Sequence, residues 1–196
     1  MKRLLKFVKA EYNYAKAWYG YKPLNVEMSF GPGTSLPLSL SDEDGAVYNF
    51  KGRIDRIDAD GERIFVTDYK RSKIPDPKDI KEGLDLQMPL YLLAAEQLTK
   101  DKTVLGGDYF SFSNSKRDKG IVFDAKNKPQ FFTAKSVGEW DSFVEETKQF
   151  ITGYIKAMRS GNFKPSAKRK CSEYCPAREI CRRFNEKNNG GADGDV

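Results

Sequence analysis

The chain contains no histidine at all and only three cysteines among 196 residues. The first absence excludes a Ser-His-Asp triad, a histidine general base and histidine-ligated zinc. Any hydrolysis by this chain must rest on carboxylates, lysine and a metal. The odd, small number of cysteines argues against a disulfide framework. No run of 18 apolar residues occurs, so no transmembrane helix and no membrane partner are expected. The start, "MKRLLKFVKAEYNYAKAWYG", is basic but lacks the long apolar stretch of a signal peptide. It reads as an amphipathic helix, and the expected location is cytoplasmic.

What is present is charge. Lys and Arg number 34 against 28 Asp and Glu, a net charge of +6, which points toward a polyanionic partner. The basic residues concentrate late, in "KPSAKRK" (164–170) and "CRRF" (181–184). Lys164, Lys168, Arg169, Lys170, Arg178, Arg182 and Arg183 are the candidates for contacting such a polyanion.

Periodicity predicts a helix over 2–19, a strand over 24–30 closed by Gly-Pro-Gly, and a strand in "LPLSL". Two strands follow over 47–58 and 62–70, then the Pro-rich connection "IPDPKDIKEG". "LDLQMPLYLLAAEQLTK" reads as a helix, with Pro89 marking its start or a kink. A strand over 103–114, an edge hairpin from "IVF" and "QFFTA", and a long helix over 137–159 complete the pattern. Strands, helix, strands and helix again predict an α/β fold with a mixed sheet. The expected division is a core over 1–163, a basic cysteine-containing segment over 164–184, and a disordered tail over 185–196.

The stretch "GRIDRIDADGERIFVTDYKRSK" (52–73) concentrates charge on a hairpin. Asp60-Gly61 is a favoured two-residue turn. With the turn there, residues whose numbers sum to about 121 face each other: Asp55 opposes Val66 and Arg53 opposes Asp68. Side chains alternate along a strand, so Asp55, Asp68 and Lys70 share one face. The two carboxylates become diagonal neighbours, about 7–8 Å apart at the backbone. Oxygen ligands so spaced suit Mg²⁺ or Mn²⁺, and Lys70 would oppose phosphate charge or handle the attacking water. A solvated hairpin with alternating charges has the same spacing, and spacing alone does not choose between them.

"GRID", "TDYK" and "LQMPLY" occur in that order. Together they resemble the RecB-like branch of the PD-(D/E)xK nuclease superfamily, in particular the nuclease domain of AddB/RexB-type helicase–nuclease subunits. The resemblance covers about residues 45–95. It implies a restriction-endonuclease-like core, a central mixed sheet flanked by helices. It implies a metal, Mg²⁺ or Mn²⁺, held by Asp55, Asp68 and the backbone carbonyl of Tyr69, with Lys70 catalytic. Gln87 and Tyr91, one helical turn apart, would orient DNA or the surrounding shell. Glu27, on the strand "NVEMSF", is a weak candidate for a third acid.

Cys171, Cys175 and Cys181 fall within "CSEYCPAREIC", a spacing that suits zinc or an iron–sulfur cluster. In the family three C-terminal cysteines and one far upstream hold a [4Fe–4S] cluster. Here the first gap is three residues rather than two. Neither the upstream cysteine nor the family's metal-binding histidine has a counterpart, which fits a chain beginning downstream of both or a degenerate relative.

The function implied is a metal-dependent DNA exonuclease domain of a bacterial helicase–nuclease, acting in double-strand-break repair by homologous recombination. Its partners would be DNA and a helicase region or partner subunit. The alternatives are a non-catalytic DNA-binding scaffold that keeps the fold, and a stand-alone exonuclease similar to the CRISPR-associated ones.

Overall fold

The computed structural model describes residues 1–163, apart from 19, 36, 73, 130, 131 and 133–137, together with Pro176, Ile180 and Cys181. Residues Met1–Thr152 form one compact unit and Gly153–Val196 a second. Among the described residues no helix is long and apolar enough to cross a membrane.

The first unit opens with helix α1 (Lys2–Ala17) and strand β1 (Lys22–Phe30). A small hairpin follows, β2 (Leu38–Ser41) with β3 (Val47–Phe50), and then β4 (Gly52–Ala59) and β5 (Arg63–Lys70). Helices α2 (Pro77–Lys81) and α3 (Gln87–Leu98) lead to β6 (Thr103–Ser111) and β7 (Lys116–Val122). Helix α4 (Trp140–Arg159) begins in the first unit and ends in the second. The main sheet has the order β1-β4-β5-β6-β7, with β5 and β6 parallel and the other pairs antiparallel. This is the expected mixed sheet with flanking helices.

Apolar side chains cover both faces of β5, as the run Ile64-Phe65-Val66 requires of a central strand. Ile64 and Val66 join Met88, Leu92, Ile121 and Tyr109 in one buried cluster; Phe65 joins Trp18, Leu105, Val122 and Phe132 in another. Full burial of each large aliphatic side chain contributes about 1.5–3 kcal/mol. Pro89 lies in the first turn of α3, where its missing N–H breaks no helical bond. The proline therefore marks the start of the helix rather than a kink.

Two local expectations are corrected. The strand expected over 47–58 divides at Lys51, with β3 pairing to β2 and β4 to β1 and β5. The ring of Phe30 lies over Gly52, where a Cβ would sit 2.5 Å from it, so the chain crosses over at that glycine. The Pro-rich connection contains α2, whose start is capped by Asp76 accepting the Lys78 N–H at 3.0 Å.

The segment "KRDKGIV" forms β7 and pairs with β6; "QFFTA", the expected partner of "IVF", lies mostly outside the described residues. At Gly120 a Cβ would lie 2.2 Å from the Gly107 carbonyl oxygen, so glycine lets these two backbones approach. Four charged residues concealed the strand, and one of them, Arg117, is wholly buried.

Candidate active site

The β4–β5 hairpin turns at Gly61-Glu62 rather than Asp60-Gly61, closed by the Asp60 N–H donating to Arg63 O at 3.1 Å. The Asp60 carboxylate accepts the N–H groups of Glu62 and Arg63 at 2.9 and 2.6 Å, and holds the Arg63 guanidinium. An aspartate at the first turn position does this without positive φ, and Gly61 is not among the glycines with positive φ. The register therefore becomes Arg56↔Thr67 and Ala59↔Ile64, a sum of 123 instead of 121. A shift of two preserves the faces. It replaces the expected diagonal relation by one that, if continued, sets Asp55 across from Asp68.

The ladder stops just short of that pair. β4 parts from β5 beyond Arg56↔Thr67, and the Asp55 carboxylate fills the gap by accepting the Tyr69 N–H at 2.8 Å. A side-chain oxygen thus replaces a strand carbonyl. On its β4 side the end of β5 thus has an acid beside it instead of a neighbouring backbone, while its other side stays paired to β6.

On β5, Asp68 and Lys70 point the same way. The Lys70 ammonium lies 2.7 Å from Asp68 Oδ2, and it donates to Gln87 Oε1. Gln87 Nε2 donates to Asp68 Oδ1 at 3.2 Å and to the Tyr91 hydroxyl at 2.9 Å. Only one orientation of the amide puts its oxygen on the ammonium and its N–H₂ on the carboxylate. Asp68 Oδ2 is buried, and its close partner is the Lys70 ammonium at 2.7 Å.

Burial raises the Asp68 pKa, Lys70 opposes that rise, and the charges of Asp55 and Asp85 add to it. The Tyr91 hydroxyl is also raised, first by burial.

Asp55, Asp68, Lys70, Gln87 and Tyr91 thus lie in one neighbourhood. Two further residues belong to it. Asp85 accepts the Gln87 N–H at 3.0 Å and so orients the first turn of α3. The buried Tyr109 reaches Asp85 Oδ1 at 3.4 Å, and its ring lies 5.5 Å from the Lys70 ammonium. Asp85, two residues before Gln87, carried the sequence signal of an Asx cap; Tyr109 had none, since it arrives from β6 across the sheet.

Glu27 has φ +51 within β1, and its carboxylate pairs with Arg53 at 2.9 Å on the surface. Cys181 is a free, half-buried thiol. Cys171 and Cys175 lie outside the described residues, as do Lys164, Lys168, Arg169, Lys170, Arg178, Arg182 and Arg183.

Among the described residues no three acids or cysteines converge as a ready-made metal cage. The donors at the end of β5 nonetheless fit a hard divalent ion that keeps several waters. They are the carboxylates of Asp55 and Asp68, the second of them buried, and hard oxygen donors are what such an ion takes.

Comparison with known proteins identifies the family. The model of the PD-(D/E)XK nuclease superfamily matches residues 1–182. Three similar relatives are each named as a subunit of an ATP-dependent helicase/deoxyribonuclease. That of Anoxybacillus flavithermus is 43% identical over 150 residues, 70% of this chain and 12% of its own. That of Geobacillus thermodenitrificans is 38% identical over 129 residues, covering 58% and 11%. That of Carboxydothermus hydrogenoformans is 30% identical over 170 residues, covering 76% and 16%. The matched part is thus a small fraction of each relative's length. With the family's model matching residues 1–182 of its 196, the chain belongs to the PD-(D/E)XK nuclease superfamily.

Proposed function

We propose that this chain is a metal-dependent deoxyribonuclease domain that hydrolyses phosphodiester bonds from DNA ends. It would work within a longer helicase–nuclease, in double-strand-break repair by homologous recombination. The observation that carries the reading is the cluster Asp55–Asp68–Lys70–Gln87, assembled where β4 separates from β5. The relatives' names and their much greater length support a helicase-associated role over a stand-alone exonuclease.

Asp55, Asp68 and the carbonyl of Tyr69 would hold Mg²⁺ or Mn²⁺, leaving other positions for water and phosphate oxygens. Such an ion supplies a more acidic water and offsets the charge that builds on phosphorus. The chain's own residues do the positioning. Gln87, held by Tyr91, keeps the Lys70 ammonium against Asp68, so one positive charge is fixed at the strand end before substrate arrives. That charge faces the phosphate, and the ammonium orients a water by donating to its oxygen. The late basic residues, Lys164 to Arg183, would follow the DNA backbone without reading bases, a contact weakened steeply by salt.

The three cysteines supply one thiolate fewer than a [4Fe–4S] cluster takes. They do not complete such a cluster by themselves, and no step depends on one.

The test is cleavage of end-labelled single- and double-stranded DNA with Mg²⁺ or Mn²⁺, parent against Lys70→Ala. Metal-dependent products that disappear in the variant are expected. The second reading, a DNA-binding scaffold, is favoured by Lys70 standing where a cation would meet Asp68 Oδ2. Under it both proteins bind DNA and leave it intact.

A further inference from the structure

Beside the acid cluster, at the same end of β5, lies an open cleft of about 360 Å³ lined by Phe7, Tyr69, Lys70, Arg71 and Phe112. Its walls are aromatic and half-buried. The Phe7 ring stands 5.1 Å from Phe112 and 5.9 Å from Tyr69, centroid to centroid, so three rings from α1, β5 and the residue after β6 form a cup. Phe7 is held against the buried Phe110 at 4.6 Å, which gives the cup a rigid floor. Tyr69 is anchored from behind, its hydroxyl donating to Glu11 at 3.0 Å and accepting from Arg56 at 3.2 Å.

Neighbouring residues of a strand face opposite ways. The cup around Tyr69 is therefore on the α1 side of β5, and Asp68 with Lys70 is on the α3 side. β5 ends at Lys70, so a chain passing across that end meets both. Arg71, exposed and in no ion pair among the described residues, stands at the crossing.

We infer that the cup of Phe7, Tyr69 and Phe112 is a stacking subsite for an unpaired nucleobase of a single-stranded DNA end, with Arg71 meeting the adjoining phosphate. Flat apolar rings beside an uncommitted cation match a nucleotide, which offers an aromatic face next to a negative charge. A base inside a duplex has both faces covered by its neighbours, and a terminal one stays paired, so only a single strand or a frayed end presents an unpaired base. The subsite rests on the nuclease reading in one respect, that the same strand continues to Asp68 and Lys70.

The experiment uses the chain with Ca²⁺ in place of Mg²⁺, and single-stranded oligonucleotides carrying 2-aminopurine near one end or the other. Quenching of the 2-aminopurine by the parent is expected from one of the two positions, and its loss in Phe112→Ala. Affinity for the single strand, read by fluorescence anisotropy, should fall about tenfold in Phe112→Ala. It should be restored in Phe112→Trp and stay unchanged for blunt duplex. Phe112→Leu keeps the apolar bulk without the aromatic face and carries the comparison if the alanine variant does not fold. An unquenched probe with the parent, equal single-strand affinity in parent and leucine variant, or an equal loss for duplex would overturn the subsite. Cleavage in Mn²⁺ separates the two proposals. A parent that cuts DNA without quenching retains the nuclease and loses the cup; one that quenches but cuts nothing retains the cup and loses the nuclease.

Discussion

Asp68 and Asp108 each meet a cation beside β5, on opposite faces of the sheet, and the two pairs differ in completeness. Asp108 accepts Arg117 Nε at 2.8 Å on one oxygen, and Arg117 Nη2 at 3.2 Å with the Thr67 hydroxyl at 2.9 Å on the other. Arg117 donates again to Thr67 at 2.7 Å and faces the rings of Tyr14, Trp18 and Phe110. Both charged residues are essentially inaccessible, at 1% and 0% exposure. Asp68 has one oxygen on an amide and the other against a lysine that is 23% exposed. Arg117 presents a planar fork matched to its carboxylate; Lys70 is a point charge on a flexible stem that can exchange partners. The closed pair holds β6 and β7 to β5, whereas the open one leaves its lysine partly exposed. Completeness of hydrogen bonding, more than charge, separates the closed pair from the open one.

Four substitutions test that contrast. The largest effect is expected from Lys70→Ala, a loss of about 10²- to 10⁴-fold in DNA cleavage rate with folding retained; full activity in a gel-based time course would remove Lys70 from the chemistry. Next is Asp108→Ala, which leaves Arg117 buried without its partner and should lower stability by about 3–5 kcal/mol in urea unfolding. A near-neutral result there would mean that the closed pair is not structural.

Asp68→Asn should have the opposite sign. The raised Asp68 pKa means that the folded chain holds this proton more tightly than the unfolded one. Its contribution is therefore lost as pH rises from the ordinary value of 3.8 through the folded one. Asparagine has no such proton, so the variant should be more stable at neutral pH, by about 0.5–2 kcal/mol as is usual for such stabilising changes, and inactive. Thermal melting from acid to neutral pH would show the parent falling relative to the variant; parallel curves would contradict the assignment. The smallest effect belongs to Glu27→Ala. Its exposed pair with Arg53 is worth about 0–1 kcal/mol, and cleavage should be unchanged. A strong loss of cleavage would return Glu27 to the site as a third acid.

Much of the candidate site was legible because its spacing is local. Asp68 and Lys70 are two apart on a strand, and Gln87 and Tyr91 four apart on a helix, so alternation and helical pitch assign each pair to one face. The hairpin register was off by two because Asp60 caps the turn with its side chain, an arrangement that Asp-Gly alone does not distinguish from the positive-φ turn. The error did not matter to the site, since an even shift keeps every side chain on its face. β7 escaped notice for a different reason. Its "KRDK" looks like a solvated loop until Asp108, nine residues earlier, is seen to neutralise Arg117 inside the fold.

The sequence by itself determined the α/β pattern, the acids and lysine on one hairpin face, and the Gln–Tyr helix that follows. All of these depend on periods of two or of about three and a half residues, which local backbone geometry imposes. Only the tertiary structure decided that β4 leaves β5 at Asp55, that Gln87 joins Asp68 to Lys70, and that Phe7 of the first helix reaches Phe112 beside Tyr69. Those contacts link residues far apart in the chain. They are fixed by which apolar faces bury against each other and which polar groups are left to find partners, and neither is written in any local period.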